Sequence, residues 1–244
     1  MKIKNLYSPN FDKKKRSNKS IKIIVIHYTG MQSERESLLR LSDPKSKVSS
    51  HYFINQKGIV SRLVQDNKIA WHAGKSCWGK YKNLNKNSIG IELVNKGHQF
   101  GYTNFKKKQI LSLIKICKIL IKKYKIKNRN IVGHSDIAPL RKIDPGEKFP
   151  WRHLARNKIG LWHQQDLSFL RKYRDIKIIK KEENLKFNIM LNKIGYCISN
   201  RKFFYVLKNL KAFQRHYRQE LINGYPDMEC FIIAQNLLKY LKKT

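Results

Sequence analysis

Two histidines and two aspartates are the residues best suited to chemistry in this sequence. His27 ends the apolar, β-branched run IKIIVIH, and His134 ends the short run NIVGH. Asp136 and Asp144 follow in the segment GHSDIAPLRKIDPG, residues 133–146. Side chains at the ends of adjacent strands can converge at one sheet edge, and two histidines with one carboxylate leave one position open on a tetrahedral Zn²⁺. The residues therefore predict a hydrolytic zinc site with His27, His134 and either Asp136 or Asp144. Such a metal lowers the pKa of bound water from about 16 to about 7.

Glu92 is a further candidate, because it lies inside the predicted strand SIGIELV, residues 88–94. Alternation along a strand places Glu92 with Gly90, on the face opposite the apolar side chains. A glutamate in a strand is costly to bury unless it is paired or used. The residues alone leave two interpretations open, a salt bridge to one of the many lysines and a role in catalysis.

The apolar patterns indicate the elements that position these residues. Residues 21–29 are typical of a strand buried on both faces, and residues 48–65 of a β-hairpin. Residues 105–124 have apolar side chains at helical spacing with lysines between them, which predicts an amphipathic helix over the core. Residues 130–134 form a further short strand. Strands and helix mixed in this way indicate an α/β or α+β domain with a central sheet.

The net charge of +37 is extreme, with 53 Lys and Arg against 16 Asp and Glu. This charge would suit a polyanion such as nucleic acid. The lysines, however, are spread along the whole chain and arginine is not enriched, which favours a solvated surface. A basic nucleic-acid-binding protein is the distant alternative, and no nucleic-acid partner is expected.

The four cysteines form no CxxC pair, so we expect ordinary buried thiols, and a Cys197–Cys230 disulfide stays open. The N-terminal residues have no apolar run typical of a signal peptide. Apolar stretches long enough to span a membrane are also missing from the sequence. These features predict a cytoplasmic protein without a transmembrane segment.

Five motifs in this order resemble the zinc-dependent N-acetylmuramoyl-L-alanine amidases, which are related to the peptidoglycan recognition proteins. They are IVIHYT, SSHYFI, AWHAG, SIGIELVN and GHSDIAPLRKIDPG. The resemblance covers residues 20–163 and implies an α/β catalytic domain over residues 1–165, with a central mixed β-sheet flanked by helices. It also implies hydrolysis of the amide between the lactyl group of N-acetylmuramic acid and L-alanine, in peptidoglycan or muropeptides.

The resemblance also implies the role of each site residue. The family's zinc ligands fall on His27, His134 and Asp144, which gives one Zn²⁺ per chain. Its catalytic glutamate falls on Glu92, which would help to deprotonate a zinc-bound water. Its catalytic lysine falls on Lys142, which would stabilise the oxyanion with the metal.

Three other residues near these motifs receive weaker assignments. Asp136 is then expected to form a turn or a supporting hydrogen bond near His134. Trp71 and His72, in AWHAG, are candidate substrate contacts, although Trp71 fits the core equally well.

The C-terminal part has a different composition. The charge-rich composition of residues 166–184 predicts a linker. The helical patterns in residues 185–244 predict a small three-helix bundle. LNKIGY and AFQRHYRQ in this bundle resemble a peptidoglycan-binding domain, which would concentrate the enzyme on its substrate. A helical oligomerisation module is the alternative for this region. Wall binding would place the protein in the periplasm or cell envelope instead of the cytoplasm.

A prophage-type lytic amidase of the same chemistry is the nearer alternative for the whole chain. The sequence leaves open the oligomeric state and the preference between 1,6-anhydro-muropeptides and intact sacculi.

Overall fold

The computed structural model describes residues 2–178, 181–198 and 203–242. Its strands are β1 (Ile3–Asn5), β2 (Phe11–Asp12), β3 (Ile23–Tyr28), β4 (Tyr52–Ile54), β5 (Val60–Arg62), β6 (Ile69–Ala70), β7 (Cys77–Trp78), β8 (Tyr81–Lys82), β9 (Ser88–Leu93) and β10 (Ile131–Gly133). Its α-helices are α1 (Glu34–Ser42), α2 (Lys107–Tyr124), α3 (His134–Ile137), α4 (Trp151–Arg156), α5 (Leu167–Arg171), α6 (Lys181–Ile194), α7 (Phe203–Tyr217) and α8 (Met228–Leu241).

A mixed six-stranded sheet is the centre of the fold. Its strand order is β1-β5-β4-β9-β3-β10, and only β4 and β5 pair in the antiparallel sense. The predicted hairpin is therefore the β4–β5 pair, and the predicted strands at residues 21–29, 88–94 and 130–134 are β3, β9 and β10. The predicted α/β fold with a mixed sheet flanked by helices is confirmed.

The central strand β3 is buried on both faces, which its continuous apolar sequence requires. Helix α2 covers one face of the sheet with a row of buried side chains that includes Leu113, Cys117 and Leu120. Its lysines lie on the outer side, so the amphipathic helix predicted over residues 105–124 is confirmed. The other face of β3 contributes Ile23 and Val25 to a second core.

The C-terminal helices α6, α7 and α8 complete this second core. Phe187, Phe213 and Ile233 are buried in it together with the side chains from β3. The three helices predicted in this part of the chain are present. Helix α5 lies inside the segment predicted as a linker, and its Leu170 is buried in the same core.

Two of the four cysteines form a disulfide that the sequence did not predict. Cys77 of β7 and Cys197, just after α6, form a disulfide, whereas Cys117 and Cys230 are buried free thiols. The Cys197–Cys230 pairing, which the sequence left open, does not form, and the expectation of ordinary buried thiols is wrong for Cys77 and Cys197. The physical reason is packing, because Cys230 lies inside the core on α8 while Cys197 is docked against β7.

None of the helices in the described ranges is long and apolar enough to cross a membrane.

Candidate active site

The topology brings the predicted ligands to one edge of the sheet. Strands β3 and β10 are parallel neighbours, so their carboxyl ends meet at the same edge. His27 lies near the end of β3, and His134 follows β10 directly as the first residue of α3. On the other side of β3, the register with β9 places Glu92 opposite His27. Three of the predicted residues are thus brought together by strand pairing alone.

Asp144 joins the two histidines from the loop after α3. The Nδ1 atoms of His27 and His134 lie 3.0 Å apart. Asp144 Oδ2 lies 3.0 Å from His27 Nδ1 and 3.2 Å from His134 Nδ1. All three residues are buried. Two imidazole nitrogens and one carboxylate oxygen therefore face a common point.

A chain of hydrogen bonds fixes the tautomer of His27. The Ser88 hydroxyl donates to the Leu84 carbonyl over 2.6 Å, so its oxygen is free to accept from His72 Nε2, 3.1 Å away. His72 Nδ1 is then an acceptor, and it lies 3.1 Å from His27 Nε2. His27 consequently donates through Nε2, which leaves the lone pair of Nδ1 pointing at the cluster.

The tautomer of His134 is fixed in the same sense. Its Nε2 lies 3.2 Å from the carbonyl oxygen of Ala73, which can only accept a hydrogen bond. Both Nδ1 lone pairs and the Asp144 carboxylate therefore converge without a proton between them. In a tetrahedral zinc site the ligand atoms are about 3.3–3.4 Å apart, given bonds of about 2.0–2.1 Å. The donor set and its spacing fit such a cation.

The protonation states also suit a cation site. Burial and, after it, the neighbouring His134 together lower the pKa of His27 to about 4, against the opposing effect of Asp144. At neutral pH His27 is thus neutral, as a metal-binding imidazole must be.

Glu92 lies beside this cluster with an unsatisfied carboxylate. Burial raises its pKa to about 8, the Asp144 carboxylate contributes in the same direction, and Lys142 opposes both. Its Oε2 is buried and has no hydrogen-bond partner among the described residues. A nearby dication would lower this pKa again, since positive charge favours the ionised carboxylate.

A cleft of about 580 Å³ opens over the cluster. Lys142 is half-buried in its wall, close to Glu92 and Asp144. Trp71 also lines the cleft, and its Nε1 donates to Asp12 over 2.6 Å. The basic side chains that line the cleft are Arg40, Lys96, Arg141 and Lys142.

Comparison with known proteins agrees with this geometry. The family model described as N-acetylmuramoyl-L-alanine amidase matches residues 17–147, more than half of the chain. The chain belongs to the N-acetylmuramoyl-L-alanine amidase family. The predicted family and enzyme class are thereby confirmed.

Three relatives show how far the similarity extends. N-acetylmuramoyl-L-alanine amidase AmiD of Escherichia coli is 38% identical over 233 residues, covering 90% of this chain and 83% of its own. The structure of AmiD with anhydro-N-acetylmuramic acid-L-Ala-D-γ-Glu-L-Lys has a TM-score of 0.80 at 34% identity, covering 94% of this chain and 92% of its own. AmpDh3 of Pseudomonas aeruginosa, in complex with anhydromuramic pentapeptide, has a TM-score of 0.79 at 29% identity and coverages of 96% and 97%. The 1,6-anhydro-N-acetylmuramyl-L-alanine amidase AmpD of Haemophilus influenzae is 34% identical and covers 64% of this chain and 92% of its own.

In this amidase, Asp136 lies outside the cluster of His27, His134 and Asp144. The only group of His, Cys, Asp and Glu among the described residues that could hold a metal ion is His27, His134 and Asp144. Asp136 Oδ2 instead accepts the N–H of Gly133 over 2.7 Å. This is the kind of supporting hydrogen bond that was expected of Asp136.

The amidase also uses residues that the sequence did not single out. His27 is oriented by His72 and Ser88, and His134 by the Ala73 carbonyl. Of these three, the sequence had indicated only His72, and as a substrate contact. A Cβ at Gly90 would lie 2.5 Å from the His72 ring, so only glycine leaves room for that ring. The alternation along β9 places Ser88, Gly90 and Glu92 on one face, and this pattern could have indicated a shared role.

Proposed function

We propose that this amidase binds one Zn²⁺ per chain through His27 Nδ1, His134 Nδ1 and Asp144 Oδ2. The observation that carries the proposal is the convergence of three lone-pair donors whose other hydrogen bonds exclude a proton between them. Three acceptors held about 3 Å apart repel one another unless a cation lies between them. When bound, Zn²⁺ supplies the Lewis acidity that activates water and polarises the substrate carbonyl.

Glu92 acts as the general base and then as the general acid. Its carboxylate lies on the strand next to His27, with Oε2 free of other partners, so it can accept a proton from the attacking water. It then passes that proton to the alanine nitrogen as the amide bond breaks. Lys142 lies in the wall of the same cleft, where its ammonium group stabilises the negative charge on the carbonyl oxygen.

The proposed substrate is a muropeptide cleaved between the lactyl group of N-acetylmuramic acid and L-alanine. The complexes of AmiD and AmpDh3 with anhydromuramyl peptides support this substrate class and favour the 1,6-anhydro sugar. The basic side chains of the cleft, Arg40, Lys96 and Arg141, complement the carboxylates of a stem peptide.

Product analysis by mass spectrometry tests the proposal and separates it from the prophage-type lytic alternative. Anhydromuramyl tripeptide, the same peptide with a reducing sugar, and intact sacculi are digested in parallel. Release of free tripeptide, fastest from the anhydro substrate, is expected. Solubilisation of sacculi with no cleavage of soluble muropeptides would support a lytic amidase. Absence of cleavage at the lactyl–alanine bond in all three substrates would contradict both.

We further infer a catalytic domain at residues 1–165, a connecting segment at 166–184 and a helical domain at 185–244. The Haemophilus influenzae AmpD match supports this division, since nearly all of that protein aligns with about two thirds of this chain. Wall binding by the helical domain stays a prediction. Binding of metal-loaded, catalytically inactive protein to sacculi in a sedimentation assay tests it.

We infer an oxidising compartment such as the periplasm for this amidase, in place of the cytoplasm. The Cys77–Cys197 disulfide supports this location, because such bonds persist in oxidising compartments and are rare in the cytosol. Cell fractionation with an antibody tests the location, and recovery of the protein with all four thiols reduced in the cytosolic fraction would contradict it.

A further inference from the structure

Asp136 is a buried carboxylate on α3, in the segment 133–146 that also carries two of the proposed zinc ligands. Its side chain is 1% exposed and accepts three hydrogen bonds. Gly133 N–H donates over 2.7 Å, the Tyr196 hydroxyl over 2.8 Å and His216 Nδ1 over 2.8 Å. A carboxylate is costly to bury without such partners. Two of the three partners come from the C-terminal region, so that region determines where Asp136 can lie.

Tyr196 and His216 are themselves held firmly. The His216 ring is stacked on Trp151, with centroids 3.8 Å apart, and on Tyr217 at 4.1 Å. The Tyr196 ring contacts Trp78 edge to face at 5.0 Å. Both residues are almost fully buried. Neither can move away from Asp136 without disturbing this aromatic packing.

The backbone around Tyr196 is fastened to the catalytic part of the chain. The Gly195 carbonyl accepts the N–H of Gly79 over 2.7 Å, and Cys197 is bonded to Cys77. A Cβ at Gly195 would lie 2.4 Å from the Trp78 ring, so this approach requires glycine. The Gly195–Cys197 segment is thus docked on β7 and its following turn, with the Tyr196 hydroxyl directed at Asp136.

Helix α3 transmits the position of Asp136 to the metal site. This four-residue helix contains both Asp136 and His134. The backbone N–H of Ser135, also on α3, donates to the Asp144 carbonyl over 2.8 Å. A shift of α3 would therefore displace the His134 ring and the backbone of Asp144 together.

We propose that Tyr196 and His216 are positioning residues of the zinc site and act through Asp136. The inference rests on the proposed function, in that His134 and Asp144 are taken as zinc ligands. It gives the C-terminal helices a part in the catalytic unit. The motifs LNKIGY and AFQRHYRQ, which predicted wall binding, contain two residues that face inward to the loop of the active site.

Two conservative variants isolate the hydrogen bonds to Asp136. Tyr196→Phe removes only the hydroxyl, and His216→Phe keeps an aromatic ring stacked on Trp151 while removing the donor. Tyr124→Phe is the matched control, because the Tyr124 hydroxyl donates over 2.6 Å to another buried carboxylate, that of Asp66, away from the metal cluster. All three variants lose one buried hydrogen bond to an aspartate.

Two measurements separate positioning from a general loss of stability. Zinc affinity by chelator competition should fall about tenfold in Tyr196→Phe and His216→Phe, the lower end of the loss seen when a group that orients a metal ligand is removed. In the metal-free protein, the Ser135 amide should exchange with solvent faster in both variants, because α3 is released. Tyr124→Phe should change neither quantity, although its melting temperature falls. Zinc affinity and Ser135 exchange indistinguishable from Tyr124→Phe would overturn the proposal.

A double-mutant cycle tests whether the effect passes through Asp136. In the Asp136→Asn background, adding Tyr196→Phe should have little further effect on zinc affinity, whereas Tyr124→Phe should stay additive. Full additivity of Asp136→Asn and Tyr196→Phe would contradict the proposed route. If the unmodified protein bound no zinc, the proposed function would fail, while the Ser135 exchange of the metal-free variants would still decide the present inference.

Discussion

His27 Nε2 lies 3.1 Å from His72 Nδ1, so the imidazole of the proposed zinc ligand is held from behind by a second buried histidine. His72 is held in turn by Ser88, whose hydroxyl is committed to the Leu84 carbonyl. This chain selects the His27 tautomer that presents Nδ1 to a metal. Its contribution can be measured without disturbing any proposed ligand.

Replacing His72 by leucine should weaken zinc binding by about 10- to 100-fold, because His27 loses the acceptor that fixes its tautomer. His72→Asn should recover part of this loss, since an asparagine oxygen can accept from His27 Nε2. Competition with a zinc-binding dye measures both affinities. Equal affinities in the leucine and asparagine variants would show that the hydrogen bond to His27 is unimportant.

Variants of the remaining site residues should separate metal binding from catalysis. His27→Ala should lose both zinc and activity. Glu92→Gln should retain zinc while kcat falls about 10²- to 10⁴-fold, because the proton carrier is removed. Lys142→Met should also retain zinc, with kcat about 10²- to 10³-fold lower, because the oxyanion loses a partner. Zinc content and steady-state kinetics on a muropeptide check these outcomes, and full activity in Glu92→Gln would exclude Glu92 as the base.

The raised pKa of Glu92 predicts a pH-dependent stability of the metal-free protein. Its ordinary pKa is 4.5, and in the folded protein it is raised to about 8. Between these values the unfolded chain has lost the proton that the folded chain still binds, so the free energy of unfolding falls as pH rises. Glutamine cannot ionise, and Glu92→Gln should therefore become progressively more stable than the unmodified protein across this window.

Thermal unfolding of both proteins in the presence of a chelator, at about pH 5 and about pH 8, measures this difference. In a chain of this size the melting temperature changes by about 2–4 °C for each kcal/mol of unfolding free energy. His27 titrates in both proteins, so the comparison isolates Glu92. A difference in melting temperature that stays constant with pH would show that the Glu92 pKa is not raised.

The Cys77–Cys197 disulfide should stabilise the protein by about 2–4 kcal/mol, since it closes a long loop in the unfolded chain. Cys77→Ser and Cys197→Ser should therefore lower the melting temperature equally, and the double variant should be no worse than either. Peptide mapping should find these two cysteines linked. A linked peptide that contains Cys230 would contradict the structure.

The part of the fold that the sequence predicted is the part with clear periodicity. The continuous apolar run of β3 and the helical spacing in α2 are local patterns, and both predictions are confirmed. His27 and His134 could also be predicted as site residues from the sequence. Each follows a recognisable apolar strand, and neighbouring parallel strands end at the same edge of a sheet. The family resemblance then separated Asp144 from Asp136.

The remaining features depend on contacts between distant segments. Cys77 and Cys197 are 120 residues apart, and no local pattern predicts that the turn after α6 docks on β7. His72 lies after the two-residue strand β6, in irregular backbone whose direction a sequence does not indicate. The hydrogen bonds from Tyr196 and His216 to Asp136 likewise exist only because the C-terminal helices share a core with the sheet.

The central claim is that His27, His134 and Asp144 hold a catalytic zinc ion. Elemental analysis of the purified protein, coupled to an activity assay before and after chelation, tests it most directly. The account predicts one zinc per chain, loss of muropeptide cleavage when the metal is removed, and recovery when one equivalent of Zn²⁺ is restored. Full cleavage activity in protein shown by the same analysis to contain no metal would contradict it.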